Sequence, residues 1–270
     1  MNKLLIFVVM VGTAWWCSGQ TDVVEEMMVS KEVKQGILSS VPILGAIDHD
    51  LFFPGVAAIA TPFQIFVEVD SLRELYACKD REMIWSMDVS KHAEDLLFVA
   101  VFDVDKMSSQ VLAYDMSMYP PRRETLCTLP EMVSCQTTLS DAGVLFISGL
   151  KDGVWMVTSC AGDILYESDE AIVDLEFDRG RLLVCRERDV LSLGPELKSF
   201  LAVEQKTIRG LESSNGMHYV VVDEDLIVFD EDEQSVNELV LGGVKGIAVA
   251  GGVPSILDKK GQIRVILKDK

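Results

Sequence analysis

Three residues near the start of the chain, Asp48-His49-Asp50, bring an imidazole between two carboxylates, a grouping that could bind a metal or move a proton. His92 and His218 are the other histidines, and none of the three has a second His or Cys at metal-ligand spacing. A solvent-facing loop is the simpler expectation for His49. Asp103 and Asp105 are spaced like the start of a calcium loop, but Lys106 and Met107 follow where Asp, Asn or Gly would be needed. Asp223-Glu224-Asp225 and Asp230-Glu231-Asp232-Glu233 flank the short apolar run Leu226–Phe229 and read as hairpin tips. The second tip, at Asp230, Glu231 and Asp232, is the candidate interaction loop. There is no Gly-x-Ser-x-Gly elbow, and no phosphate or dinucleotide loop. No catalytic, cofactor-binding or metal-binding residue is therefore assigned, and no cofactor is expected.

The elements that would carry these residues follow from the rest of the chain. Met1-Asn2-Lys3, then an apolar run Leu4–Trp16 and Cys17-Ser18-Gly19, has the layout of a secretory signal peptide over residues 1–19. The apolar run is short for a membrane span, although an uncleaved anchor or a buried strand is the alternative. The expected location is the secretory lumen or the cell exterior, with no membrane span after cleavage. Residues 20–36 form an acidic tail, read as partly helical, and residues 37–270 a single domain.

The chain carries net charge −19. Removing residues 1–19 takes away one Lys and no acid, leaving 23 basic against 43 acidic side chains, or −20. That balance disfavours nucleic acid and anionic membrane and leaves a protein partner as the expectation. Five cysteines follow the leader, Cys78, Cys127, Cys135, Cys160 and Cys185. An odd number leaves at least one unpaired; most read as small apolar core residues, and Cys127 with Cys135 could bridge neighbouring strands.

From Ile37 onward, short runs rich in Val, Ile, Leu, Phe and Tyr alternate with Gly, Asp and Asn turns, which predicts an all-β fold. The runs fall into groups of roughly 40 residues, the spacing of β-propeller blades. Six four-stranded blades are expected, with a seven-bladed ring or a β-sandwich as alternatives. The first group is read as Gly55–Thr61, Gln64–Asp70, Arg73–Lys79 and Met83–Val89; the second is less regular; the last lacks its fourth strand. An N-terminal strand, Ile37–Val41, is expected to fill that gap and close the ring.

One segment carries a resemblance. Leu75-Tyr76-Ala77-Cys78 followed by Ile84-Trp85-Ser86 resembles the repeat of quinoprotein-like (PQQ-like) propellers, a tyrosine-bearing strand and then a tryptophan-bearing outer strand. Val154-Trp155-Met156-Val157 with Ile164-Leu165-Tyr166 is similar to a second copy, and Leu226–Asp230 to a third. Tyr76, Trp85 and Trp155 are thus the candidate repeat-defining aromatics. The superfamily includes dehydrogenases marked by adjacent cysteines, absent here. It also includes lumenal binding modules such as the large subunit of the ER membrane protein insertion complex. The resemblance implies a non-enzymatic interaction or scaffold module of that kind. The alternative is a secreted propeller hydrolase whose carboxylates converge on the central channel from separate blades, which would leave no linear motif. The leader makes the first prediction: N-terminal sequencing of the secreted protein should find Gln20 as its first residue, and retention of Met1 on a soluble product would overturn the secretory assignment.

Overall fold

The computed structural model describes residues 29–31, 34–37, 43–53, 56–68, 71–90, 95–194, 197–232 and 235–267. Two short N-terminal strands, β1 (Val29–Lys31) and β2 (Lys34–Ile37), precede the blades. Blade 1 is β3 (Asp48–Phe53), β4 (Val56–Ala60), β5 (Gln64–Glu68) and β6 (Leu72–Ala77). Blade 2 is β7 (Glu82–Val89), β8 (Leu96–Asp103), β9 (Ser108–Asp115) and β10 (Arg122–Pro130). Blade 3 is β11 (Met132–Leu139), β12 (Leu145–Lys151), β13 (Val154–Ser159) and β14 (Ile164–Ser168). Blade 4 is β15 (Ile172–Asp178), β16 (Arg181–Arg186), β17 (Asp189–Leu193) and β18 (Lys198–Ala202). Blade 5 is β19 (Ile208–Ser214), β20 (Met217–Val222), β21 (Asp225–Asp230) and β22 (Ser235–Leu239). Blade 6 is β23 (Val244–Ala250), β24 (Val253–Asp258) and β25 (Ile263–Leu267), completed by β2. The fold is a six-bladed, all-β propeller.

The burial of each strand follows from its rank in the blade. A second strand is covered on both faces by the neighbouring blades, so β8 (Leu-Leu-Phe-Val-Ala-Val-Phe-Asp) is apolar almost throughout. An outermost strand has little to cover it, and most of β10 is exposed. Six residues of the second strands, Ile59, Val99, Ile147, Val184, Val220 and Ile256, are fully or almost fully buried. Each sits opposite the equivalent residue of its innermost strand: His49, Met87, Thr137, Leu175, Leu211 and Ile247. The apolar clusters lie between blades. One cluster, including Ile65, Tyr76, Ile84 and Leu97, joins blades 1 and 2, and five others join the remaining adjacent pairs.

Closure is by an N-terminal strand, as expected, with a shifted boundary. Lys34–Ile37 pairs antiparallel with β25, Lys34 opposite Leu267 and Ile37 opposite Arg264. Residues 38–42, most of the expected Ile37–Val41 strand, lie outside the described residues. Just before it, β1 adds to blade 5, parallel to β22. Both strands fall where the sequence suggested a tail. Behind them, Ile43 N–H donates to the Gly261 carbonyl at 2.9 Å. Gly261 has φ +78° and sits so close to Ile43 that a Cβ would collide with its carbonyl, so only glycine fits. The Asp152-Gly153 and Asn215-Gly216 hairpins have positive φ at both residues, as tight two-residue turns require.

The frame of the first two blades differs from expectation. Asp48–Phe53, whose Asp48-His49-Asp50 start reads as a loop, is the innermost strand of blade 1, and Glu82–Val89 is the innermost strand of blade 2. The polar Asp-His-Asp start of β3 hides a strand whose carboxylates serve the next blade, so apolar alternation does not reveal it. The second prediction concerns closure. Removing residues 1–28 should leave Tm unchanged, whereas removing 1–37 should lower it by roughly 5–10 °C, because the edge of β25 is left unpaired. Equal Tm values measured by differential scanning fluorimetry would overturn it.

Candidate functional site

The innermost strands of all six blades line a central cavity of about 120 Å³. Five of them carry a register shift near the start, between Ile84 and Ser86, Val133 and Gln136, Ile172 and Asp174, Ile208 and Gly210, and Val244 and Gly246. A bulge re-aims the extra residue, and Trp85, Val173, Arg209 and Lys245, the extra residues of four of these strands, all line the cavity together with Ile47. Lys245 Nζ reaches the Ala46 carbonyl at 3.3 Å, across the seam between blades 6 and 1.

Beyond the bulges stand the carboxylates Asp48, Asp50, Asp88, Asp174, Glu176 and Glu212. An innermost strand is a sheet edge, and its outward N–H groups need acceptors. Asp48 supplies one: Oδ1 accepts from His49 N–H at 2.8 Å and Oδ2 from Met87 N–H of blade 2 at 3.0 Å. Asp50 repeats the arrangement with Leu51 N–H and Val89 N–H. In blade 4, Asp174 accepts from Leu175 N–H and from Leu211 N–H of blade 5, both at 2.9 Å. Asp178 accepts from Asn215 N–H and Gly216 N–H, also at 2.9 Å. These aspartates clamp one blade to the next. Between blades 2 and 3 hydroxyls do similar work on carbonyls: Ser86 Oγ donates to Cys135 O at 2.7 Å and Ser109 Oγ to Met132 O at 2.8 Å.

The enclosure is electrostatically unusual. Burial pushes the Asp48 carboxyl up to about 6 against the lowering effect of the Met87 and His49 amides, with the charge of Glu212 adding to the rise. Burial pushes Asp174 up to about 7, opposed by the Leu211 and Leu175 amides and reinforced by Asp48 and Glu212. Both side chains keep part of their surface open to the channel. Burial holds His49 down to about 4, so its ring is neutral near pH 7.

His49 is buried in β3, on the opposite face from Asp48 and Asp50 because strand side chains alternate, and its Nε2 lies 3.1 Å from Ser255 Oγ of blade 6. The three residues thus act in two seams and form no common acid–base or metal group. Among the described residues no group of three or more His, Cys, Asp or Glu side chains is placed to hold a metal ion. Asp103 accepts from the N–H groups of Asp105 and Lys106 at 3.1 Å and pairs with the Lys106 ammonium, while Asp105 pairs with Arg81.

The Asp230-Glu231-Asp232 segment packs against blade 4. Arg179 reaches both Asp232 oxygens at 2.6 Å, Arg181 reaches Glu231 at 2.6 Å, and Asp232 N–H donates to Asp230 Oδ1 at 3.0 Å. Glu231 also lies 3.6 Å from Nε2 of buried His218, whose Nδ1 is 2.8 Å from Ser213 Oγ. The other acidic tip is tied as well: Asp223 accepts from Thr207 N–H, Asp225 from Leu241 and Gly242 N–H, and Glu224 pairs with Lys259.

The two tryptophans take places other than outer strands. Tyr76, on outermost β6, donates its hydroxyl to Glu82 at 2.9 Å. Trp85 is the bulged residue of innermost β7, with its ring 6.3 Å from Phe102, and Trp155 lies on the third strand of blade 3 in the cluster facing blade 4. The Leu75–Ser86 segment therefore straddles two blades. Val154–Tyr166 and Leu226–Asp230 sit on third and fourth strands within single blades, so the first segment is not equivalent to the other two.

A second feature lies on the face formed by the second-to-third-strand loops and the blade-to-blade loops. Phe63 and Val104, tips of the β4–β5 and β8–β9 loops, flank a cleft of about 360 Å³ with Cys78, Lys79, Asp80, Arg81, Glu82 and Met83. Sequence reading missed it because its walls come from two blades.

No family model matches the chain, and no curated protein does. Solved structures share its fold. A structural-genomics protein of unknown function from Bacteroides thetaiotaomicron aligns with a TM-score of 0.65 at 10% identity, over 86% of this chain and 72% of that one. Virginiamycin B lyase from Staphylococcus aureus, in a catalytically inactive form with quinupristin, aligns with a TM-score of 0.60 at 9% identity, over 88% of this chain and 100% of that one. The extracellular domain of a one-component system protein from B. thetaiotaomicron aligns with a TM-score of 0.56 at 10% identity, and this chain spans 40% of its length. At these identities the likeness extends to the propeller fold and leaves the PQQ-like assignment, and the ER-complex subunit, without a supporting match.

The clamps make the third prediction. Asp174 has a folded pKa of about 7 against an ordinary 3.8, so the folded state holds its proton more tightly. Its contribution is most favourable below about pH 4 and is lost as pH rises toward 7. Asp174→Asn removes that titration. The stability of the variant relative to wild type, from urea unfolding, should therefore improve between pH 4 and pH 7.5, by at most ~4 kcal/mol and less where the open channel screens the charge. A difference independent of pH would overturn this account.

Proposed function

We propose that this domain is a non-enzymatic interaction module of the secretory lumen or cell exterior, binding a protein partner through the face that carries the Phe63–Val104 cleft. The observation that supports it is where large apolar side chains stay exposed. Phe63, 59% exposed, and Val104, 44% exposed, stand at the cleft itself, and Leu44, Ile47, Met107 and Val240 are exposed on other loops of the same face, whereas Met118, Tyr119, Val144 and Leu197 are exposed on loops of the opposite face. Exposed apolar side chains flanking a concavity, as Phe63 and Val104 do, are what a partner's side chains would bury. The cleft's volume is in the range of small-ligand sites, and its floor carries both signs of charge, which suits a peptide segment with apolar anchors. The central cavity is several times smaller than such sites, and clamping amides occupy both oxygens of Asp48, Asp50 and Asp174.

A second reading has one observation in its favour. Asp48 and Asp174, raised toward neutrality and coupled to Glu212, are the kind of carboxyl groups that act as general acids in hydrolases.

The two readings separate experimentally, which is the fourth prediction. Capture from the producing cells with wild type should recover one partner whose yield Phe63→Asp and Val104→Asp each lower by tenfold or more, while Tyr119→Asp on the opposite face keeps it. All three should melt within about 2 °C of wild type, since exposed loop positions support little of the fold. Equal recovery by every variant overturns the face assignment. Hydrolytic turnover by the purified domain that Asp174→Asn abolishes overturns the non-enzymatic reading.

A further inference from the structure

The seam between blades 2 and 3 gathers three of the cysteines. Cys135, on innermost β11, is fully buried, while Cys127 and Cys160 are half-buried against the same apolar cluster, beside Leu129, Leu145 and Met156. Cys127 lies on β10, the outermost strand of blade 2, where a register shift between Thr125 and Cys127 locally re-aims the strand. Cys160 follows β13 of blade 3, held by its N–H to the Leu145 carbonyl at 3.0 Å. Cys160 is the neighbouring thiol on this cluster across the seam, and burial together with that neighbour pushes Cys127 well above the ordinary thiol range. Cys135, by contrast, has its thiol beside the Ser109 hydroxyl.

We propose that Cys127 and Cys160 are a disulfide site, a covalent staple between blades 2 and 3 that forms in an oxidising compartment. Both side chains pack on one apolar cluster across the seam, so side-chain rotation is the movement that brings the sulfurs to bonding distance. Burial in apolar surroundings suits the neutral product better than a thiolate. Cys135 stands on an innermost strand and Cys127 on an outermost one, which selects the Cys160 pairing over the Cys127–Cys135 bridge that neighbouring strands suggest. The oxidant is a small disulfide. One thiolate attacks it and displaces one reduced half as a thiol. The second cysteine gives up its proton and attacks the resulting mixed disulfide, displacing the other half. Two protein thiols become one S–S bond, and the oxidant's S–S bond is reduced to two thiols. This inference does not rest on the interaction reading.

The fifth prediction tests it on the full chain purified with reductant and then equilibrated at pH 8 with oxidised glutathione. Non-reducing peptide mapping after alkylation should show Cys127 joined to Cys160, with Cys135 alkylated after unfolding. The oxidised protein should melt roughly 5–10 °C above the reduced one, because the staple restrains the unfolded chain. Cys135→Ser should keep both the link and the Tm rise, whereas Cys127→Ser and Cys160→Ser should lose both. Recovery of Cys127 and Cys160 as free thiols, as glutathione adducts, or with Cys127 joined to Cys135 would overturn the proposal.

Discussion

The structure depends on how the innermost strands are satisfied. A propeller removes the usual free edges by closing into a ring, but it creates six inner edges that face a narrow channel. Their amides cannot all be hydrated in a cavity of about 120 Å³. Aspartates on the preceding blade take that role at Met87, Val89, Leu211, Asn215 and Gly216, and each one also fixes how far one blade slides along the next. A hydrogen bond to a charged acceptor contributes about 1.5–3 kcal/mol, and an orphaned buried amide costs a comparable amount. The clamps therefore matter more for register than for gross stability, which comes from the apolar clusters filling each seam.

This division explains the different chemistry of the seams. Blades 1–2 and 4–5 use pairs of aspartates, and blades 2–3 use serine hydroxyls on carbonyls. The closing seam between blades 6 and 1 has other devices: the His49–Ser255 contact, Lys245 on the Ala46 carbonyl, and the backbone bond of Ile43 to Gly261. It is also where the chain ends meet, β2 lying along β25. Carboxylates there would add to an acidic channel already raising Asp48 and Asp174, and Gly210 and Gly246 stand where those aspartates would repeat.

The fold was legible in the sequence because the second and third strands announce themselves. Ile59, Val99, Ile147, Val184, Val220 and Ile256 recur inside apolar runs, and the Asp152-Gly153 and Asn215-Gly216 turns mark their hairpins. The innermost strands were harder for a physical reason. Their polar residues face a seam or the channel instead of solvent, so Asp48-His49-Asp50 looks like a loop and the count of blade 1 begins one strand late. Trp85 misled for a related reason. A bulge turns it into the channel, a displacement that no pattern of alternation encodes. The clamp partners are separated by a whole blade, Asp174 from Leu211 and Asp178 from Asn215, and the acceptor is a side chain while the donor is backbone. Nothing about the identity of Leu211 or Asn215 reveals that its amide is held. The cleft at Phe63 and Val104 escaped for the same cause, two loops from different blades meeting only in the folded ring.

Where the charges are committed also bears on what the surface can recognise. The chain is strongly acidic, yet the acidic side chains singled out by their clustering are engaged locally: Glu231 and Asp232 with Arg181 and Arg179, Glu224 with Lys259, Asp103 with Lys106, Asp105 with Arg81. Paired charges of this kind contribute little field beyond their own neighbourhood, although the net excess of acid persists at longer range and falls off over about 8 Å at physiological salt. Such a field biases the rate at which partners arrive, favouring basic ones, and does little to hold them. In the interaction reading proposed above, affinity comes from desolvation of apolar surface, which the loops at Phe63 and Val104 offer on a frame held by the aspartate clamps. A rigid frame loses little conformational freedom on binding, so a cleft of this modest size can retain most of what burial of a partner's side chains provides.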